Sequence, residues 1–388
     1  MPVKHIFLSP EQILFGIGAV EQLGDCVISL KGKKVFIVTD KIVAGLDSFN
    51  AVKTSLRQKN IEFHLYTDVE ANPTDLQIDN GATVYTQTNS DTILAVGGGS
   101  SIDSAKAIGI VVRNGGSIRD YEAYDSVVNT IPPLIAIPTT AGTGCEVSAW
   151  AVITNTLKNY KFCPGGVRII PKIALVDPEL TASMPPGITA ATGMDALSHA
   201  IEAICSPYAM PQTDAYAFSA IKLVVKHLGS AVADGSNMAA REGMAMAALE
   251  AGLAMNANTG GVHALGHQLS TQYGIPHGVA MGIMMPIIMD FNTIACLDQM
   301  ADIAKAMGED ITGLSKQDAA GRAPAAVLQL QKTLGLPTSL SECNADPMLI
   351  PVCAKWAMTD TSIPGNPRKM TQEQIEGLFK KAFNEQVN

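Results

Sequence analysis

Charge is scarce in this sequence. Only 16% of its 388 residues are charged, and 27 basic against 36 acidic side chains leave a net charge of −9. Nucleic acid is excluded as an expected partner, because phosphate backbones need basic patches. An anionic membrane surface is excluded on the same ground. No apolar run of about 18 or more residues stands out, so no transmembrane span is expected. The start, Met1 to Pro10, lacks the apolar stretch of a secretory signal. The seven cysteines (Cys26, Cys145, Cys163, Cys205, Cys296, Cys343, Cys353) are odd in number and form no C-x-x-C pair. That excludes a disulfide framework and suits reduced thiols in a cytoplasm. Apolar side chains, at 47%, are what the chain has in quantity. They indicate a well-buried globular protein, too long for one core and expected to form two domains.

The first half alternates short apolar runs with helical stretches. Lys34 to Asp40, Glu62 to Tyr66, Asp91 to Val96, Leu134 to Pro138 and Ile173 to Asp177 read as strands. This is the βαβ rhythm of a parallel sheet covered on both faces. The texture changes near Asp177-Pro178-Glu179-Leu180 and Met184-Pro185-Pro186-Gly187. Beyond it the chain is rich in Ala, Met and Leu with helical periodicity, as in Met238 to Leu253, and shows no convincing strand. The expected division is an α/β domain over 1–182 and an all-helical domain over 183–388.

Two turns follow strands in a way that suits a nucleotide. Gly97-Gly98-Gly99-Ser100 leads from the third strand into a helix carrying Asp103 and Lys106. Glycines let backbone N–H groups approach phosphate oxygens, and the helix N-terminus adds favourable partial charge. Its plainer reading is a tight turn with a Ser cap. Pro138-Thr139-Thr140-Ala141-Gly142-Thr143-Gly144 follows the fourth strand. Ligands of open α/β sheets sit at strand carboxyl ends, so the two turns suggest one nucleotide between them. Asp40 also ends a strand. It can accept hydrogen bonds from both ribose hydroxyls and repel a 2′-phosphate, favouring NAD over NADP, or it can simply cap a helix. Gly16-Ile17-Gly18-Ala19-Val20-Glu21 imitates a dinucleotide fingerprint, but Glu21 holds the third glycine position and the segment reads as a turn.

The second half carries four residues that look like ligands of one divalent metal ion: Asp195, His199, His263 and His277. Asp195 and His199 are four apart in a helical stretch and so share a face. His263 and His267 have the same spacing, and His277 follows in Gly-Ile-Pro-His-Gly. A lone buried histidine is more often a satisfied core residue than a ligand. Here three of only seven histidines fall into this one pattern. His5, His64 and His227 lie outside any motif. Imidazole with carboxylate suits Fe²⁺ or Zn²⁺, and intrinsic affinity favours Zn²⁺.

Together these segments resemble the iron-dependent (group III) alcohol dehydrogenases over nearly the whole chain. The matching pieces are Gly-Gly-Gly-Ser-x-x-Asp-x-x-Lys at 97–106, Pro-Thr-Thr-Ala-Gly-Thr-Gly at 138–144, Asp-Pro-Glu-Leu at 177–180 and Thr-Ala-Ala-Thr-Gly-Met-Asp-Ala-Leu at 189–197. His263-x-x-x-His267, Pro276-His277-Gly278 and Asn366-Pro367-Arg368 complete them. The resemblance implies a Rossmann-like N-terminal domain, a helical C-terminal domain of the dehydroquinate synthase-like type, and a cleft between them. It implies Fe²⁺, or Zn²⁺ in some relatives, on Asp195, His199, His263 and His277. It implies NAD contacts from Asp40, Asn72, Gly97, Gly98, Gly99, Ser100, Asp103, Thr139, Thr140, Thr143, Lys161 and Leu180, and a homodimer or larger homo-oligomer.

The implied chemistry is hydride transfer between NAD(H) and a short alcohol or aldehyde, with the metal as Lewis acid. His267, one turn from His263, is a candidate proton relay to solvent or else a hydrogen-bonding neighbour of the site. Departures from the family pattern bear on substrate. Ala254, Thr259, Gly261 and Ser362 stand where relatives often carry Phe, Leu, Leu or Tyr, and Cys, and Trp150 where a smaller polar residue is common. Less aliphatic wall and more hydroxyl suggest a polar or anionic substituent, as in a diol, hydroxy acid or sulfonated aldehyde. Neutral drift in a broad-specificity enzyme is the alternative. A lyase of the dehydroquinate-synthase type would need basic residues near the metal, and residues 255–278 contain no Lys or Arg.

Overall fold

A computed structural model describes residues 6–384 of the chain. It divides into two compact units, Phe7–Met184 and the segment from Pro185 onward.

The first unit is built on a six-stranded sheet. Its strands are β1 (Gln12–Phe15), β2 (Lys34–Val38), β3 (Glu62–Tyr66), β4 (Thr92–Gly97), β5 (Leu134–Pro138) and β8 (Ile173–Val176). A separate hairpin pairs β6 (Ile153–Asn155) with β7 (Tyr160–Phe162). The five strands expected from the sequence are all present within a residue or two. β1 was not foreseen: it is a four-residue edge strand with half its residues exposed, and its apolar run is only Ile13-Leu14-Phe15. The two three-residue hairpin strands are equally short of pattern.

The sheet order is β1-β8-β5-β4-β2-β3, and every pairing in it is parallel. The central strands are apolar on both faces because both are covered. Phe36, Val38, Ile93, Ala95, Leu134 and Ala136 pack into one core cluster. Val35, Ile37, Leu94, Val96, Ile135 and Ile137 pack into the other. The chain leaves β2 toward β3 on one side and β4 toward β5 on the other. The β2/β4 boundary is therefore the switch point, where a parallel sheet opens a crevice at its carboxyl ends. The Gly16–Gly18 segment is a turn, and Asp177 closes it by accepting from the N–H groups of Gly18 and Val20 at 3.2 and 3.0 Å.

The second unit holds no strand among the described residues. Its longest helices are Pro186–Cys205, Pro211–Ala233, Met238–Ala254, His277–Asn292 and Lys316–Thr333. The segment His277–Ala295, with mean hydropathy 1.5, is long and apolar enough to cross a membrane by length and composition. Within it 72% of the apolar window is buried inside the protein, so it is a core helix of this unit.

Candidate metal centre and nucleotide crevice

The second unit brings the predicted ligands together. Asp195 and His199 sit on the helix Pro186–Cys205, His263 and His267 on Gly261–Tyr273, and His277 is the first residue of His277–Asn292. Three helices thus converge. The Nε2 atoms of His277, His263 and His199 stand 3.3, 3.7 and 3.9 Å from one oxygen, Oδ1 of Asp195. Donor atoms of Asp195, His263 and His277 all lie within 4.8 Å of one another. His199 stands beside that trio, its ring stacked on His263 with centroids 4.5 Å apart.

The arrangement fits a cation. With ion-to-ligand distances of about 2.0–2.2 Å, ligand atoms of a tetrahedral site lie roughly 3.3–3.6 Å apart, close to what is found here. Oδ1 of Asp195 and Nε2 of His263 are both buried and neither has a hydrogen-bond partner. Orphaned polar atoms cost about 1–3 kcal/mol each, and a shared ion would satisfy both. The electrostatics agree. Burial pushes the Asp195 carboxyl up, but His199, His277 and His263 together hold it well below its usual range. Burial pushes His263 down, yet Glu202 and Asp195 outweigh it and raise it to about 10. The pocket calls for positive charge, as a proton or as a metal.

Two carboxylates that the sequence did not single out complete the site. Glu202 Oε2 lies 2.5 Å from Nδ1 of His263. Asp360 Oδ2 lies 2.9 Å from Nδ1 of His267. Each holds the far side of a ring and so fixes its tautomer and direction. Glu202 shares the Asp195 helix at i+7, a spacing that could have disclosed it. Asp360 is 93 residues from its partner, with no local signal. His267 also stacks on His277, centroids 5.4 Å apart.

The suggested pocket residues divide between the two units. Buried Thr259 donates to Oγ of buried Ser362 at 2.9 Å. Ser362 in turn hydrogen-bonds Asp360 through side chain and backbone. A chain therefore runs Thr259–Ser362–Asp360–His267. The space beside Gly261 is taken: a Cβ there would meet Met370 Cε at 2.6 Å and Asn366 Oδ1 at 2.9 Å. Ala254 is fully buried at the end of its helix. Trp150 belongs to the other unit, where its ring lies on Tyr124 with centroids 4.6 Å apart.

In the first unit the proposed nucleotide residues gather at neighbouring strand ends. Asp40 lies two residues past β2, Gly97 ends β4 with Gly98 to Ser100 following it, Thr139 to Thr143 follow β5, and Leu180 lies in the turn after β8. The two turns touch. Thr139 N–H donates to Gly97 O at 3.0 Å, and a Cβ on Gly99 would stand 2.8 Å from Thr143 Cγ2. Gly97 has φ 152°, a conformation side chains rarely adopt. The 16-residue helix that begins at Gly99 has no side-chain cap, so the Ser-capped turn is not what forms, and its end N–H groups suit an anion. Asp40 does cap its own short helix, Oδ1 accepting from Ile42 and Val43 at 2.8 and 2.9 Å. Its Oδ2 lies on the Gly97 side, 3.8 Å from where a Cβ would be. Asp103 is buried and holds Val152 N–H at 2.9 Å. Burial raises its carboxyl against the pull of Lys106. Asn72 and Lys161 sit on segments joined through Thr154, which pairs with both Thr74 and Lys161.

The comparisons with known proteins agree along the whole length. The family model described as iron-containing alcohol dehydrogenase matches residues 10–178. The model for the C-terminal part of the Fe-containing alcohol dehydrogenase family matches residues 189–383. A 1,3-propanediol dehydrogenase of Klebsiella pneumoniae is 42% identical over 97% of this chain and 98% of its own length. An NAD-dependent methanol dehydrogenase of Bacillus methanolicus is 40% identical over 98% of this chain and 100% of its own. A solved 1,3-propanediol oxidoreductase superposes with a TM-score of 0.95 at 41% identity, covering 98% of this chain and 100% of that one.

Proposed function

The chain belongs to the iron-containing alcohol dehydrogenase family, and on that premise we propose that it transfers a hydride between NAD(H) and a short alcohol or aldehyde bearing a second polar group. The single observation that carries the reaction is the convergence of three imidazoles on one orphaned carboxylate oxygen. Asp195, His199, His263 and His277 would hold Fe²⁺, which supplies Lewis acidity to the substrate oxygen. The unit from Phe7 to Met184 would bind NAD at the β2/β4 crevice, with Asp40 reading the ribose and Gly97 to Ser100 and Thr139 to Thr143 receiving the phosphates.

His267 is the proposed proton carrier. Asp360 accepts its Nδ1–H, which leaves Nε2 as the basic face of the ring. That face can take the alcohol proton in oxidation and return it in reduction. The polar preference follows from Thr259 and Ser362. Ser362 accepts from Thr259 and bonds Asp360, so the Thr259 oxygen keeps lone pairs for a substrate hydroxyl. A substrate without such a group would leave a buried acceptor unmet. The scattered thiols, none in a disulfide, suit a cytoplasmic enzyme. Assembly as a homodimer or larger oligomer is proposed by family likeness.

The test is a panel of short alcohols and aldehydes assayed with NAD(H) and NADP(H). Diols and hydroxyaldehydes should exceed unsubstituted analogues of equal length in kcat/KM by tenfold or more. Equal values across the pairs would dispose of the polar preference, and no turnover with any of them would dispose of the reaction.

A further inference from the structure

The helix Gly261–Tyr273 begins without a cap of its own. Its N-cap position is Gly260, which has no side chain to offer. The first N–H groups of a helix need acceptors, and here they come from elsewhere. Gly261 N–H donates to Asn366 Oδ1 at 3.1 Å, and Val262 N–H donates to Glu202 Oε1 at 2.6 Å. The other oxygen of Glu202, Oε2, faces His263 Nδ1 at 2.5 Å. Glu202 is nearly fully buried, so both oxygens are committed. A Cβ on Gly260 would come within 3.1 Å of Oε1, so the bare glycine lets the carboxylate reach the helix end.

We infer that Glu202 is a positioning residue for the metal: one carboxylate caps the helix through Val262 and locks His263 with Nδ1 protonated and Nε2 turned toward Asp195. The inference rests on the metal reading above and adds a residue to it. Asp195, His199 and Glu202 fall at i, i+4 and i+7 of one helix, so a single element delivers two proposed ligands and the group that aims a third.

The substitution E202Q is nearly isosteric and tests this sharply. Glutamine has one acceptor oxygen for two donors. If it serves Val262, its NH₂ faces His263 Nδ1 and favours the tautomer with a proton on Nε2. If it serves His263, its NH₂ opposes Val262 N–H. Apoprotein would be titrated with Co²⁺ and with Zn²⁺ against a chelator, with circular dichroism and thermal melting on the same samples. A folded E202Q should bind either ion about 10–100-fold more weakly than wild type. Affinity within threefold of wild type would overturn the inference. Failure of wild type itself to bind either ion would instead overturn the metal reading. Should E202Q not fold, ¹⁵N-histidine NMR of Zn²⁺-loaded wild type decides the same point. It should show a ring with metal on Nε2 and a strongly deshielded Nδ1–H, and absence of any such ring counts against the inference.

Discussion

Gly278 directly follows His277, and the structure says why it is glycine. A Cβ at that position would stand 2.0 Å from Ala191 O, 2.5 Å from its carbonyl carbon and 3.1 Å from its Cα. These are backbone atoms of the helix Pro186–Cys205, one turn before Asp195, and they cannot rotate away. Real Cβ contacts do not fall below 3.0 Å, so G278A must part the two helices by at least about 1 Å, from 3.0 − 2.0. Overpacking of this kind costs about 1–3 kcal/mol. The same movement carries His277 Nε2 away from Asp195 Oδ1, now 3.3 Å distant. A misplacement of about 1 Å can lower turnover by about 10²-fold. G278A should therefore melt earlier, purify with less than stoichiometric metal, and lose about two orders of magnitude in kcat/KM. Elemental analysis, thermal melting and steady-state kinetics read all three. A G278A protein that holds metal and turns over like wild type would refute the packing argument.

Other perturbations separate the roles of nearby groups. D360N removes the charge and leaves one acceptor oxygen for the donors of His267 and Ser362, and should lower kcat/KM by about 10–100-fold while metal content, measured on the same sample, stays at wild-type level. Burial raises the Asp360 carboxyl, but His267 and Ser362 more than offset it and leave it below its usual range. Its ionised form therefore favours folding above the ordinary carboxylate value, and that contribution fades as pH falls through the lowered one. Glu146 behaves oppositely: burial pushes it up to about 7 from 4.5, so the native state holds a proton that the unfolded chain releases. Stability should fall as pH rises from 4.5 through about 7, and E146Q should recover up to about 3 kcal/mol above that range. Melting curves of both proteins across pH with unchanged separation would contradict this. D40S keeps a cap for Ile42 and Val43 but removes the negative charge, so the preference for NADH over NADPH should shrink at least tenfold. An unaltered preference would mean that Asp40 is only a cap.

The sequence disclosed what pattern can disclose. Buried parallel strands wrote themselves as continuous apolar runs, and the switch of texture near Pro185 separated sheet from helices. Ligands on one helix, Asp195 and His199, were legible from a spacing of four. What escaped depends on distance along the chain. β1 pairs with β8 through residues 161 apart, as Gln12 with Ile173, and its half-exposed sequence has no period. Asp360 meets His267 only after the chain has folded, and the Thr259–Ser362 bond spans 103 positions. Asp40 was readable as a ribose contact or a cap, and geometry makes it a cap whose second oxygen still turns to the glycine loop. Gly261 suggested an opened pocket, whereas Met370 and Asn366 occupy the space. Absence of a side chain in a sequence does not say what fills the room.

The most direct test is metal dependence of NADH oxidation by a hydroxyaldehyde. Protein stripped by a chelator under anaerobic conditions would be assayed before and after addition of one equivalent of Fe²⁺, beside H263A treated identically. The stripped protein should show negligible turnover and recover on Fe²⁺ addition, and H263A should not recover. Full turnover in the stripped protein, or equal recovery in H263A, would contradict a metal-dependent reaction at this site.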